Sequence, residues 1–155
     1  MREPLADAGP TQERPPYRFS ARSRVEVADT DLGGVLYYGR YAHLIDRAIL
    51  AYRRHLGIPG LGPDGHLFMV RSLSVEYRAS AVFDDEVETF VRVARLGRSS
   101  HVVEARLERI GERPEHLADA RVVIVGVREY QGRPTRIPEP MHAAIAAFEG
   151  IGAGT

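Results

Sequence analysis

A chain of 155 residues, 44% hydrophobic and 27% charged, has the size and balance of one domain around one apolar core. Its 21 basic residues match 21 acidic ones, so no net field points to nucleic acid or another polyanion as partner. The absence of cysteine excludes disulfides, thiolate zinc sites and a cysteine nucleophile.

The opening stretch, MREPLADAGPTQERPP, carries charges and prolines and few large apolar side chains. It reads as a flexible tail over 1–16 rather than a secretory signal, and the expected location is cytoplasmic. The longest strongly apolar run, Val122 to Val127, is far short of the ~20 residues that span a bilayer, so no membrane span is expected. A single folded domain is expected over 17–149, with 150–155 as a second tail.

From Tyr17 to Ala28, Phe19, Ala21, Val25 and Val27 alternate with Arg18, Arg22, Arg24 and Glu26, the period of a half-buried strand. After DTDLGG the period changes. Tyr41, Leu44, Ile45, Ala48, Ile49, Tyr52 and Leu56 fall three or four apart, which predicts a helix over about 38–56 ended by GIPGLGPDG. Strands are predicted over 67–78, 86–96, 100–110 and 117–128, joined by connections short enough for antiparallel neighbours. Leu73, Val75 and Tyr77 have the opposite parity to Phe68 and Val70, which predicts a bulge near Arg71. Met141, Ile145 and Phe148 suggest a short final helix. One long apolar-faced helix inserted into a run of consecutive strands is an α+β pattern, and one helix covers only part of a five-stranded sheet. The remaining edge or apolar surface is expected to be hidden by self-association.

Chemistry concentrates in Asp29-Thr30-Asp31-Leu32-Gly33-Gly34-Val35-Leu36-Tyr37-Tyr38, which joins the first strand to the helix. Unpaired N–H groups and the positive end of the helix dipole can hold an oxyanion there, beside carboxylates and a pair of glycines that permits close approach. Spacing alone allows a plainer reading in which Asp29 or Asp31 only caps a turn or the helix. No His-x-x-x-His spacing, G-x-S-x-G elbow or phosphate loop occurs, so no metal, serine hydrolase or P-loop chemistry is expected.

The run DTDLGGVLYYGRYAHLIDRA, followed by FMVRSLSVEYRASAVFDDEVETFVRVARLGRSSHVVEARL, resembles the hotdog-fold acyl-CoA thioesterases of the 4-hydroxybenzoyl-CoA thioesterase type, including the Tol–Pal-associated group. The resemblance covers about Phe19 to Pro140. It implies an antiparallel sheet wrapped around one long central helix. It implies that Asp31 attacks the thioester or activates water, that Asp29 supports the loop, and that the Tyr38 backbone N–H polarises the carbonyl with Gly34 allowing close approach. Tyr38 stands where many relatives carry His or Asn. Asp46 maps to an acidic helix position that orients the site, although a solvated helix charge fits it equally. Arg98, with Arg95 before it, maps to the turn that meets CoA phosphates, with a solvated arginine as the alternative for each. The resemblance further implies an acyl-CoA or acyl-carrier-protein substrate, no cofactor, and a homo-oligomer that is a dimer or a tetramer of dimers. A hotdog dehydratase and a non-catalytic acyl-thioester-binding protein are the competing functions.

Overall fold

The computed structural model describes residues 7–58 and 65–152. The outer parts of both expected tails, 1–6 and 153–155, and part of the glycine- and proline-rich loop, 59–64, lie outside the described residues.

The elements in chain order are β1 (Ala8–Pro10), β2 (Phe19–Arg24), α1 (Tyr41–His55), β3 (Leu67–Tyr77), β4 (Glu86–Leu96), β5 (Ser100–Arg109), β6 (Glu115–Val127) and α2 (Glu139–Glu149). They form one six-stranded sheet in the order β1-β2-β4-β5-β6-β3, antiparallel at every pairing. Consecutive strands β4, β5 and β6 are neighbours because their connections are short. β3 and β4, expected as antiparallel neighbours from their short connection, are not paired: β2 takes the place beside β4, and β3 pairs with β6 at the other edge of the sheet.

β1 departs from the expected tail over 1–16. Ala8, Gly9 and Pro10 pair with Ala21, Ser20 and Phe19 of β2, and Asp7 makes an ion pair with Arg47 of α1 at 2.8 Å. A three-residue strand with no apolar alternation carries no periodic signal. Pro10, lacking an N–H, is tolerated because the strand is at an edge.

The apolar stripe of α1 is what buries it. Tyr41, Leu44, Ile45, Ala48, Ile49 and Tyr52 are buried in one cluster with Phe19, Val87, Val91, Leu107, Leu117 and Ile124 from the sheet. A short 3-10 turn, Tyr38–Arg40, precedes it within the region predicted as helix. The helix ends on Gly57 at φ +74°. There the Ile58 N–H donates to the Arg53 carbonyl at 2.9 Å and the Gly57 N–H to the Arg54 carbonyl at 3.0 Å, so glycine's left-handed conformation satisfies two terminal carbonyls. No helix among the described residues is long and apolar enough to cross a membrane.

The bulge expected near Arg71 is present: the β3–β6 register shifts between Val70 and Ser72. One extra residue resets the face parity, so Phe68 and Val70 before it and Leu73 after it look the same way. α2 is docked by Glu149, whose Oε1 accepts from the Tyr52 hydroxyl at 2.8 Å and the Val93 N–H at 2.9 Å.

Candidate active site

Residues 29–38 form a small hairpin-like loop against the sheet. The Tyr37 N–H donates to the Asp29 carbonyl at 2.8 Å, Thr30 bridges Leu36, and the Asp31 N–H donates to the Val35 carbonyl at 3.0 Å. The loop is held to the sheet by the Leu36 N–H, which donates to the Ala81 carbonyl at 2.8 Å. Gly34 turns the chain at φ +76°, a conformation with a steric penalty for other residues. Apart from its chain neighbours, no atom of the described residues lies within 4 Å of where a Cβ on Gly34 would stand.

The two aspartates do different things. Asp29 is buried, and its Oδ1 accepts from Arg40 Nε at 3.0 Å and Nη2 at 2.7 Å while Oδ2 accepts from the Glu26 N–H at 2.8 Å. Burial alone would raise its pKa. The Glu26 N–H and the Arg40 guanidinium outweigh burial and hold the carboxyl below the usual aspartate range. Asp29 therefore ties the loop to the start of α1. Asp31 is exposed, and its one bond is from the Gly33 N–H to Oδ1 at 2.8 Å. Its Oδ2 has no partner among the described residues. Of the two, Asp31 is the carboxylate left available for chemistry.

Tyr38 opens the 3-10 turn at the head of α1, where N–H groups lack helical acceptors. Its N–H donates to no backbone carbonyl outside helices and strands among the described residues. Its carbonyl accepts from the Tyr77 hydroxyl at 2.9 Å, and Tyr41 packs edge-on to Tyr77 with ring centroids 4.9 Å apart. These contacts fix the helix head against the end of β3.

A groove of about 390 Å³ runs between α1 and the inner face of β3 and β6. Ala42, His43 and Asp46 line it at the first turns of α1, and Arg53 and Phe68 line it at the far end. Asp46 is exposed and lines this wall of the groove, and it makes no side-chain hydrogen bond or ion pair to Asp31 or Tyr38 among the described residues. His43 and Arg53 were not singled out in the sequence. Their signal is faint: His43 lies three residues before Asp46, and Arg53 four after the buried Ile49, on the flank of the apolar stripe.

Arg95 and Arg98 are exposed and make no ion pair among the described residues. Arg98 sits in the β4–β5 turn, where its carbonyl accepts from the Ile137 N–H at 2.9 Å. Within one protomer this turn and Asp31 are not brought together. The Asp31 loop packs on Ala81 and Val82 ahead of β4, whereas Arg98 follows its other end, and the eleven residues of β4 span about 36 Å.

Three comparisons bear on this geometry. Residues 33–115 match the family model described as the thioesterase superfamily, a span that begins two residues after Asp31 and includes Tyr38, Asp46 and Arg98. An acyl-CoA thioesterase, YbgC, from Haemophilus influenzae is 31% identical over 130 residues, covering 82% of this chain and 93% of that protein. Among solved structures, a thioesterase-superfamily protein from Jannaschia has a TM-score of 0.81 at 19% identity, covering 91% of this chain and 89% of that one. A 4-hydroxybenzoyl-CoA thioesterase variant bound to 4-hydroxybenzoyl-CoA has a TM-score of 0.74 at 18% identity, covering 81% and 96%. The antiparallel sheet around one long helix is thus the hotdog fold, and the chain belongs to the thioesterase superfamily.

Proposed function

We propose that this protein hydrolyses acyl-CoA thioesters with Asp31 as its catalytic carboxylate. The observation that carries the reading is the division of labour in the loop. Asp29 is consumed by Arg40 and Glu26, while Asp31 keeps a free oxygen seven residues before an N–H at the head of α1. In the reaction, an oxygen of Asp31, or of water that it deprotonates, bonds to the thioester carbon. The carbonyl electrons move to its oxygen, which the Tyr38 N–H stabilises, and the collapse of that oxyanion breaks the C–S bond. The thiolate leaves and takes a proton; on the water route this gives free acid directly, and on the direct route it leaves a mixed anhydride on Asp31 that water cleaves to free acid and the regenerated carboxylate. The name of the Haemophilus influenzae relative favours CoA as the carrier and favours hydrolysis over dehydration or binding alone.

The same reading includes a homo-oligomer, a dimer or a tetramer of dimers. β3 presents an eleven-residue edge on which Val70, Leu73 and Tyr77 are 61%, 43% and 48% exposed, a surface suited to a second copy. Antiparallel pairing through β3 about a twofold axis reverses the sheet ends. It carries the Arg98 turn of one protomer toward the Asp31 loop of the other, where Arg98 and Arg95 meet the CoA phosphates. A cytoplasmic location belongs to this reading, because acyl-CoA thioesters are made and consumed inside cells. The reading is tested by following free thiol release from aryl-, short-, medium- and long-chain acyl-CoAs. Turnover of at least one class is expected, and no release above the buffer rate across the panel would overturn it.

A further inference from the structure

The far end of the groove holds a positive charge with no ion-pair partner within contact among the described residues. Arg53, in the last turn of α1, is 8% exposed and lines the groove, and its side chain makes no hydrogen bond or ion pair among the described residues. Its guanidinium carbon lies 4.0 Å above the centroid of the Phe68 ring. Two buried imidazoles flank the same ring: His66 is 5.1 Å and His101 is 6.1 Å from it, centroid to centroid. Each carries an orphan nitrogen, Nε2 of His66 and Nδ1 of His101. Gly126 of β6 makes room for His66, because a Cβ there would overlap the imidazole.

The surroundings do not neutralise this cluster. Burial lowers the Arg53 pKa to about 10, and Asp46, seven residues earlier and exposed, opposes that only in part. Burial and the neighbouring Arg53 push His101 down to about 3, and burial with Arg128 and Arg53 lowers His66. Both imidazoles are therefore neutral at pH 7, each with one donor and one acceptor nitrogen. The α1 terminal carbonyls and the Phe68 face offset part of the penalty of burying a cation. They leave the guanidinium fork, whose geometry matches a carboxylate, without a protein acceptor among the described residues.

We propose that Arg53 is a specificity-determining residue that receives the terminal carboxylate of an ω-carboxyacyl thioester lying along the α1–β3 groove, with His66 and His101 buried beside the Phe68 ring on which it rests. The inference rests on the thioesterase reading and names the acyl class for that site. Tyr41 and Arg53 are separated by about 18 Å of helix. The arginine side chain leans back toward the helix N-terminus, so the receiving group suits a chain of medium length.

The test compares CoA monothioesters of adipic, suberic and sebacic acids with hexanoyl-, octanoyl- and decanoyl-CoA, on the wild-type protein and on Arg53→Met. In the wild type, the best ω-carboxyacyl ester is expected to exceed its uncharged counterpart in kcat/KM by at least about tenfold. Arg53→Met is expected to reverse that order while keeping or raising Tm, since it removes an unpaired buried charge. Preference for the uncharged esters by the wild type would overturn the role of Arg53 and leave thioester hydrolysis standing. A carboxylate preference that survives Arg53→Met would also overturn it. Hydrolysis of neither series would overturn the role of Arg53, and the thioesterase reading falls with it only if the aryl-, short- and long-chain esters are not hydrolysed either. Should Arg53→Met fail to fold, competition in the wild type decides: free suberate must inhibit octanoyl-CoA hydrolysis more strongly than free octanoate does, and the reverse order sinks the assignment.

Discussion

Two aspartates separated by one residue have opposite fates because one faces Arg40 and the other faces solvent. The pKa of Asp29 is depressed, so the stability it contributes is present above the ordinary aspartate range and is lost as pH falls through its folded value. Asp29→Asn should therefore cost about 1–3 kcal/mol at neutral pH, the range for losing charge-assisted bonds at a largely buried site. The deficit should shrink as both proteins are titrated into acid. Urea unfolding of the pair at neutral and acidic pH measures this, and an equal deficit at both would show that the Asp29 charge is not what holds the loop. The D-x-D pattern was legible in the sequence, but which aspartate is consumed was not derivable from spacing. That depends on Arg40 folding back from the 3-10 turn and on the Glu26 N–H. Arg53 was illegible for a related reason. A basic residue on the flank of an amphipathic helix ordinarily reaches water, and only tertiary packing against the sheet and α2 buries this one.

At the level of elements, regular apolar periods were readable and irregular pairings were not. The stripe from Tyr41 to Leu56 marked α1, a strongly apolar stretch marked β4 to its first and last residue, and the parity slip marked the β3 bulge. β1 gave no comparable signal, since it arises from how strands meet rather than from a period within one. The shift in β4 between Val93 and Arg95 leaves its own parity slip, Val91 and Val93 against Leu96, which was not singled out in the sequence. β3 has the largest consequence for assembly. Its bulge turns Phe68, Val70 and Leu73 onto the groove, while its outer edge keeps free backbone donors and acceptors. Light scattering at micromolar concentration should give a dimer or a multiple of it. Val70→Lys should shift that population toward smaller species by placing like charges near the twofold axis. A monomeric wild-type protein would refute pairing through β3.

Across the whole molecule, α1 runs antiparallel to β3, from the Tyr41–Tyr77 contact at one end to the Arg53–Phe68 contact at the other. The Asp31 loop and helix head lie at one pole and the Arg53 cluster at the other; the groove is lined along α1 from Ala42 to Arg53, and Asp31 and Tyr38 are not among its lining residues. The Arg98 turn lies at the Arg53 pole of its own protomer, so any role for it at the Asp31 of a twofold mate depends on assembly. Every step attributed to this arrangement depends on the free carboxylate at Asp31. The most direct measurement is kcat of Asp31→Asn on the best acyl-CoA substrate, with folding checked by the thermal unfolding midpoint. The amide keeps the shape and the bond from the Gly33 N–H but lacks the charge. A folded variant with kcat lowered at least about 100-fold is the expected result. A folded variant that retains near wild-type kcat would contradict the account and return Asp31 to a turn-capping role.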